Sequence, residues 1–335
     1  MNKHLHHRHR PWYKEPLYLV SIFTAAILIL SIFFPVLSPM INSIIFYVEK
    51  IWWAILIGLI IGGFIGYFVP EEYVSKHLGY GKRVIPYAVI LGFFMSACSH
   101  GILAIAIALY KRGASTAAVI AFLLASPWAN LPMTIILFAF FGLNGILIIL
   151  GSLFIAIITG FIFQVLEKRS IVDKGNVVNV KKSFSVRKDI KKRLSNYKFN
   201  PSDITNTLHA SWDLAKAVLW WVIIGILLAS VIGSYVPQDI MQTYFGPTIL
   251  GLLATLLIAT IIEVCSEGSS PLAFELYRQT GAFGNSFVFL NAGVATDVTE
   301  IGLISTNIGK RTALWMILLT LPQILILGYI FNMFI

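Results

Sequence analysis

Charge is what this sequence has least of. Only 12% of its 335 residues are Asp, Glu, Lys or Arg, about half the usual share of a soluble domain. With 58% hydrophobic residues and a mean hydropathy of +0.83, a water-soluble globular fold is excluded. Cysteine is scarce as well. The two present, Cys98 and Cys265, cannot make a disulfide framework or a cysteine-rich metal cluster. P-loop, H-E-x-x-H and G-x-S-x-G motifs are all missing, so neither an ATPase, a zinc protease nor a serine hydrolase has its signature here. Cys98 beside His100 is too loose a pair to read as nucleophile and base. No cofactor and no metal is expected, and ATP-driven transport would require a partner subunit.

Long apolar runs dominate what remains. Segments at Leu17–Leu37, Ile44–Val69, Val84–Tyr110, Thr116–Phe141, Ile146–Leu166, Leu214–Val236, Thr248–Tyr277, Ala282–Ile304 and Thr312–Phe334 are long enough to span a bilayer as helices. The chain therefore reads as an all-α polytopic membrane protein. Leu17–Phe34 has the length of a signal-peptide core, but no small-residue cleavage site follows and it is kept as a helix.

The formal net charge of +10 is concentrated in one place. Residues 167–200 hold 11 Lys/Arg against 3 Asp/Glu, the positive-inside signature of a cytoplasmic loop beside anionic lipid. That reading displaces a nucleic-acid partner. The basic tail "MNKHLHHRHR" belongs on the same side, and its histidines read as a solvated tail rather than a metal site. Expected partners are the bilayer of the cell membrane and a small molecule or ion, with room for a homo-oligomer.

The second half of the chain copies the first. At an offset of 167 residues, Trp53 falls on Trp220, Gly58 on Gly225, Gly66 on Gly233 and Val69–Pro70 on Val236–Pro237. In the same register Cys98 falls on Cys265, Ser99 on Ser266, Gly101 on Gly268, Tyr110 on Tyr277 and Asn130 on Asp297. Coincidences among Leu and Ile are common in membrane proteins; coincidences of Trp, Pro, Gly and both cysteines are not. The implied organisation is a tail (1–16), an extra helix (17–43), a first repeat (44–166), a basic cytoplasmic loop (167–212) and a second repeat (213–335). Two homologous halves joined by a loop is a transporter architecture.

Five full crossings between residues 17 and 166 would place the basic loop outside, against its charge. One re-entrant hairpin per half removes the conflict and inverts the halves. The best hairpin candidates are 84–110 and 248–277, each interrupted by small polar residues; 116–141 and 282–304, broken at "SPWANLP" and "AGVATDV", are the alternatives. Nine full crossings with an external N-terminus is weaker on charge.

Irregular backbone at membrane depth survives only where protein or trapped water satisfies it, so the breaks mark a site. The first tip carries Ser96, Cys98, Ser99 and His100; the second carries Glu263, Cys265, Ser266, Glu267 and Ser269. With inverted halves the tips meet at mid-membrane. His100 and Glu267 share a repeat position, and intramembrane ionisable groups default to function, a structural ion pair being the plainer alternative. Glu263 and Glu267 stand one turn apart on one helix face, placed to take up and release a proton as the cavity changes its exposure. Taken singly, each cysteine reads as core filling; as a repeat-related pair they make a soft-ligand site for a thiophilic species. Ser126, Trp128, Asn130, Asp297 and Glu300 form a second layer after the following breaks, with Trp128 as a cavity wall or an ordinary packed aromatic.

The stretches "SACSHGILAIAIALYKRGASTAAVIAFLLASPWAN" and "EVCSEGSSPLAFELYRQTGAFGNSFVFLNAGVATDV" resemble the YraQ-like permeases, a family that includes the ArsP organoarsenical efflux permeases. The likeness covers roughly residues 45–331 and matches at Cys98, Gly113, Phe122, Pro127 and Asn130. Val294 stands where the family pattern "AGPATD" has proline, and the first tip has one Cys where several relatives carry more. The resemblance implies a permease. The function expected is a secondary transporter, an exporter with proton coupling through His100, Glu263, Glu267 and Glu300. A channel of the same architecture, or a membrane thiol-redox enzyme using Cys98 and Cys265, is the rival.

Overall fold

The computed structural model describes residues 15–68, 81, 83–93, 99–111, 113–173, 201–262 and 265–335. Of the expected site residues, Ser96, Cys98 and Glu263 lie outside these, as do the tail 1–14 and most of the basic loop; Ser99 and His100 are placed as backbone alone. The described residues are helical, without strands.

The first half contains α1 (Pro16–Phe33), α2 (Ser38–Phe68), α3 (Val84–Phe93), α4 (Ser99–Lys111), α5 (Thr116–Ala129), α6 (Leu131–Phe141) and α7 (Gly145–Lys168). The second contains α8 (Pro201–Tyr235), α9 (Gln238–Phe245), α10 (Ile249–Ile262), α11 (Ser266–Thr280), α12 (Phe283–Thr296), α13 (Val298–Asn307) and α14 (Lys310–Phe334). Six stretches of helix are long and apolar enough to cross a membrane. Helix α8 begins at Pro201, inside the stretch 167–212 read as loop, because Pro201 and Asp203 suit a first helical turn. Short α9 meets α10 at a bend of 102°.

The offset of 167 is visible in the helices. Adding it to α5 gives 283–296, the bounds of α12, and adding it to α6 gives 298–308 against Val298–Asn307 for α13. Packing repeats too: α3 and α7 flank α5 as α10 and α14 flank α12, and α6 meets α11 as α13 meets α4. The breaks recur for one reason. Asn130 ends α5 and caps α6, its Oδ1 accepting from Met133 N at 2.7 Å; Asp297 ends α12 and caps α13, accepting from Thr299 N at 2.7 Å and Glu300 N at 3.0 Å. A short polar side chain offers the backbone a partner where the helix is interrupted.

The repeat-related helices α2 and α8 run antiparallel along their whole length. Ser43 Oγ meets Ser234 Oγ at 3.1 Å near one end, and the Tyr67 hydroxyl donates to Asp203 Oδ1 at 3.0 Å near the other. Between them Gly63 lies directly against Ser211, close approach by small residues being the usual means of packing helices in lipid. The repeat-related pair α7 and α14 is antiparallel too, with Gln323 Nε2 donating to Thr159 Oγ1 at 3.0 Å and Gly151 against Phe331.

Helix α10 runs alongside α12 in the same direction: Asn285 Nδ2 donates to Thr255 Oγ1 at 3.2 Å, and Thr260 and Thr296 share a hydrogen bond of 3.0 Å. Helix α11 returns against α12, where Ser286 Oγ donates to Ala273 O at 2.6 Å. Helices α10 and α11 thus run in opposite directions beside α12, and the end of α10 lies level with the break at Asp297. At 1.5 Å per residue the two helices are about 21 and 22 Å long, each shorter than a hydrocarbon core of about 30 Å. The turn from α11 into α12 uses Gly281 at φ 69°, and the corresponding turn of the first half uses Gly113 at φ 95°, conformations that glycine adopts at no steric cost. Every residue of α5 and of α12 is buried. These two short helices are the centre of the molecule, and α1, α2 and α8 turn many large apolar side chains outward.

Candidate functional site

One cavity brings the two halves together. It is lined by Ala54, Gly58 and Leu59 of α2, Asn130, Pro132 and Ile136 of the first-half break, Leu214 and Val222 of α8, and Glu267 of α11. It is narrow, with room for little more than a water molecule. Glu267 is 3% exposed and accepts from Ser266 Oγ at 2.9 Å. Its helix is capped by Cys265, whose Sγ accepts from Gly268 N at 3.4 Å. Ser270, one turn on, donates to Ser266 O at 3.0 Å and lies 3.6 Å from Met133 Sδ of α6. A carboxyl at the first turn of a helix faces the positive end of the backbone dipole, so α11 itself helps hold Glu267 in an apolar surround.

Two glycines at one repeat position set how tightly the tips are held. Gly58 rests on Pro132, whose Cα would stand 3.0 Å from an added Cβ, and Gly225 rests on the Gly268 carbonyl with no space for one. Helix α2 therefore grips the α5–α6 break, and α8 grips the first turn of α11.

The other expected residues divide. Asn130 and Glu267 share the cavity. Ser126 is spent on its own helix, donating to Phe122 O at 2.6 Å, and Trp128 is buried in the apolar cluster. Cys265, Ser266 and Ser269 are buried in the first turn of α11. Asp297 caps α13, and Glu300 is 1% exposed in the turn that follows. Helix α13 packs on α4, whose first turn carries His100. Among the described residues no three His, Cys, Asp or Glu side chains are grouped closely enough to hold a metal.

Sequence reasoning passed over a second polar cluster. Glu275, fully buried in α11, accepts from Arg278 Nε at 2.8 Å and Nη2 at 2.7 Å, from Gln279 Nε2 at 2.7 Å, and from the Tyr47 hydroxyl of α2. The signal was available: an ionisable residue inside an apolar segment, with Arg three residues on. Glu167 was also misplaced, counted with the basic loop although it is 3% exposed and accepts from Thr116 N at 3.1 Å at the start of α5.

The family described as "Predicted permease", of the ArsP type, matches residues 36–333. The chain belongs to this permease family. Similar proteins include "Putative permease Rv2963" of Mycobacterium tuberculosis, 24% identical over 63% of this chain and 56% of that protein. "UPF0718 protein MJ0584" of Methanocaldococcus jannaschii is 23% identical over 90% of this chain and 97% of its own length. A "Putative two-component membrane permease complex subunit" of Streptococcus mutans is 23% identical over 74% and 79%. No solved structure matches the permease. The matched span takes in α2 to α14 almost entirely and leaves out α1.

Proposed function

We propose that this permease is a secondary transporter of alternating access, exporting a small thiophilic solute such as an organoarsenical in exchange for protons. The observation that carries the reading is the shared cavity, where Asn130 of the first repeat faces Glu267 of the second between α2 and α8. The antiparallel α2–α8 and α7–α14 pairs support inverted repeats, and the short arms α10 and α11 support a re-entrant second tip. Inverted repeats place both membrane faces in equivalent relation to one central site, which is what alternating access uses.

In this reading the solute is held by Asn130, Cys265, Ser266 and Ser269, joined by Ser96, Cys98 and Ser99 of the first tip, with Ser126, Trp128 and Asp297 behind them. Proton exchange falls to Glu267 with Glu263, and to His100 and Glu300 on the contacting helices α4 and α13. A desolvated carboxyl discharges and recharges as water reaches it from one face and then the other. The basic loop and N-terminal tail lie on the cytoplasmic side of the cell membrane.

The test is flux in proteoliposomes loaded with a trivalent organoarsenical. Efflux that saturates with concentration and accelerates with an inward proton gradient supports the exchanger. Efflux that rises linearly and ignores the gradient would establish a channel instead.

A further inference from the structure

The cluster around Glu275 is built to open. Three of the four donors to its carboxylate come from Arg278 and Gln279 of its own helix, and travel with it. The fourth, the Tyr47 hydroxyl, is the donor that comes from the other repeat. Separating α2 from α11 therefore breaks one hydrogen bond and leaves the buried charge paired with Arg278. A permanent staple would be expected to spread its bonds across the joint. Here they are concentrated on one side of it.

The surroundings agree. The Tyr47 ring packs edge-on against Phe140 and Phe274, which stack on each other with centroids 5.1 Å apart, and Phe141 closes on Phe274 at 5.8 Å. Lys50 sits over the Phe274 ring at 4.9 Å. This aromatic layer lies toward the Ser43–Ser234 end of the α2–α8 pair. The cavity lies on its other side, along α2 from Ala54 to Leu59, about 10 to 18 Å beyond Tyr47 at helical rise. Glu267 and Glu275 stand on one helix eight residues apart, so a tilt of α11 that alters one alters the other. The first repeat has Ala108 and Lys111 where the second has Glu275 and Arg278, and Leu214 answers Tyr47. The repeat-equivalent positions of the first half therefore cannot form the same cluster.

We propose that Tyr47, Glu275 and Arg278 form the gate of the face nearer Ser43 and Ser234, and that the Tyr47–Glu275 bond breaks each time the cavity opens to that face. This rests on the alternating-access reading, and the experiment separates the two. Leu59→Cys, lining the cavity, is exposed to a membrane-impermeant maleimide in right-side-out and inside-out vesicles, and labelling of that peptide is read by mass spectrometry. With the gate intact, labelling should come mainly from the Gly63–Ser211 face. Tyr47→Phe keeps the ring packing and removes the bond; it should raise labelling from the Ser43 face by about tenfold or more, the scale of a hydrogen bond to a charged group. Glu275→Gln should shift labelling the same way. Tyr67→Phe, which removes the bond to Asp203 at the far end of α2, should leave it unchanged. Labelling from the Gly63 face with no rise in Tyr47→Phe would overturn the gate and leave the transporter standing. No labelling of Leu59→Cys from either face in any variant would overturn both.

Discussion

Two buried carboxylates stand at opposite ends of the helical bundle and are held in different ways. Glu167 accepts from backbone N–H groups of Thr116 and Ala117, at the N-terminus of a helix in its own repeat. Glu275 accepts from side chains, one of them across the repeats. Backbone donors belong to a helix end and cannot leave without unwinding it, so Glu167 keeps one half rigid. Side-chain donors can part and re-form, so Glu275 marks where the halves move. The same residue type serves as scaffold at one end and as latch at the other.

Substitutions at these sites should differ in their cost to stability. Glu275→Ala should have the largest cost, about 3 to 5 kcal/mol, because it strands the partners of a buried charge; the part-exposed Arg278 guanidinium holds it near the lower bound. Gly225→Ala comes next, at about 1 to 3 kcal/mol of overpacking, since its Cβ would fall on the Gly268 carbonyl. Gly293→Ala, whose added carbon meets nothing nearer than 3.9 Å, should be close to neutral. Glu167→Ala removes one of two caps on α5, Ser115 keeping the other, and should cost about 1 kcal/mol. Unfolding of the detergent-solubilised protein orders all four. If Glu167→Ala proved more damaging than Glu275→Ala, the roles of scaffold and latch would be exchanged.

Much of the architecture was legible because small and polar residues are rare in apolar sequence. The repeat could be read from Trp, Gly, Pro and Cys at one offset, and it reappears in the bounds of α5 and α12. The breaks at Asn130 and Asp297 were legible for the same reason, and each is a helix cap. Partnership was not legible. Nothing in the string says that Tyr47 reaches Glu275 across 228 positions, or that Glu167, at the head of the basic stretch, turns inward to cap α5. Periodicity reports which face of a helix is apolar, but only packing decides which residue meets it. Ser126 shows the converse: a hydroxyl that looked available is spent on the carbonyl four residues before it.

Proton-coupled exchange through the shared cavity is tested most directly at Glu267. Proteoliposomes carrying the wild-type permease or Glu267→Gln are loaded with a pH-sensitive dye and a trivalent organoarsenical, and the proton and solute fluxes are followed together. Coupling through this carboxyl predicts that Glu267→Gln loses proton movement and gradient-driven efflux while still binding the solute. Solute efflux by Glu267→Gln with the wild-type dependence on the proton gradient would contradict it, and would make Glu267 a structural residue.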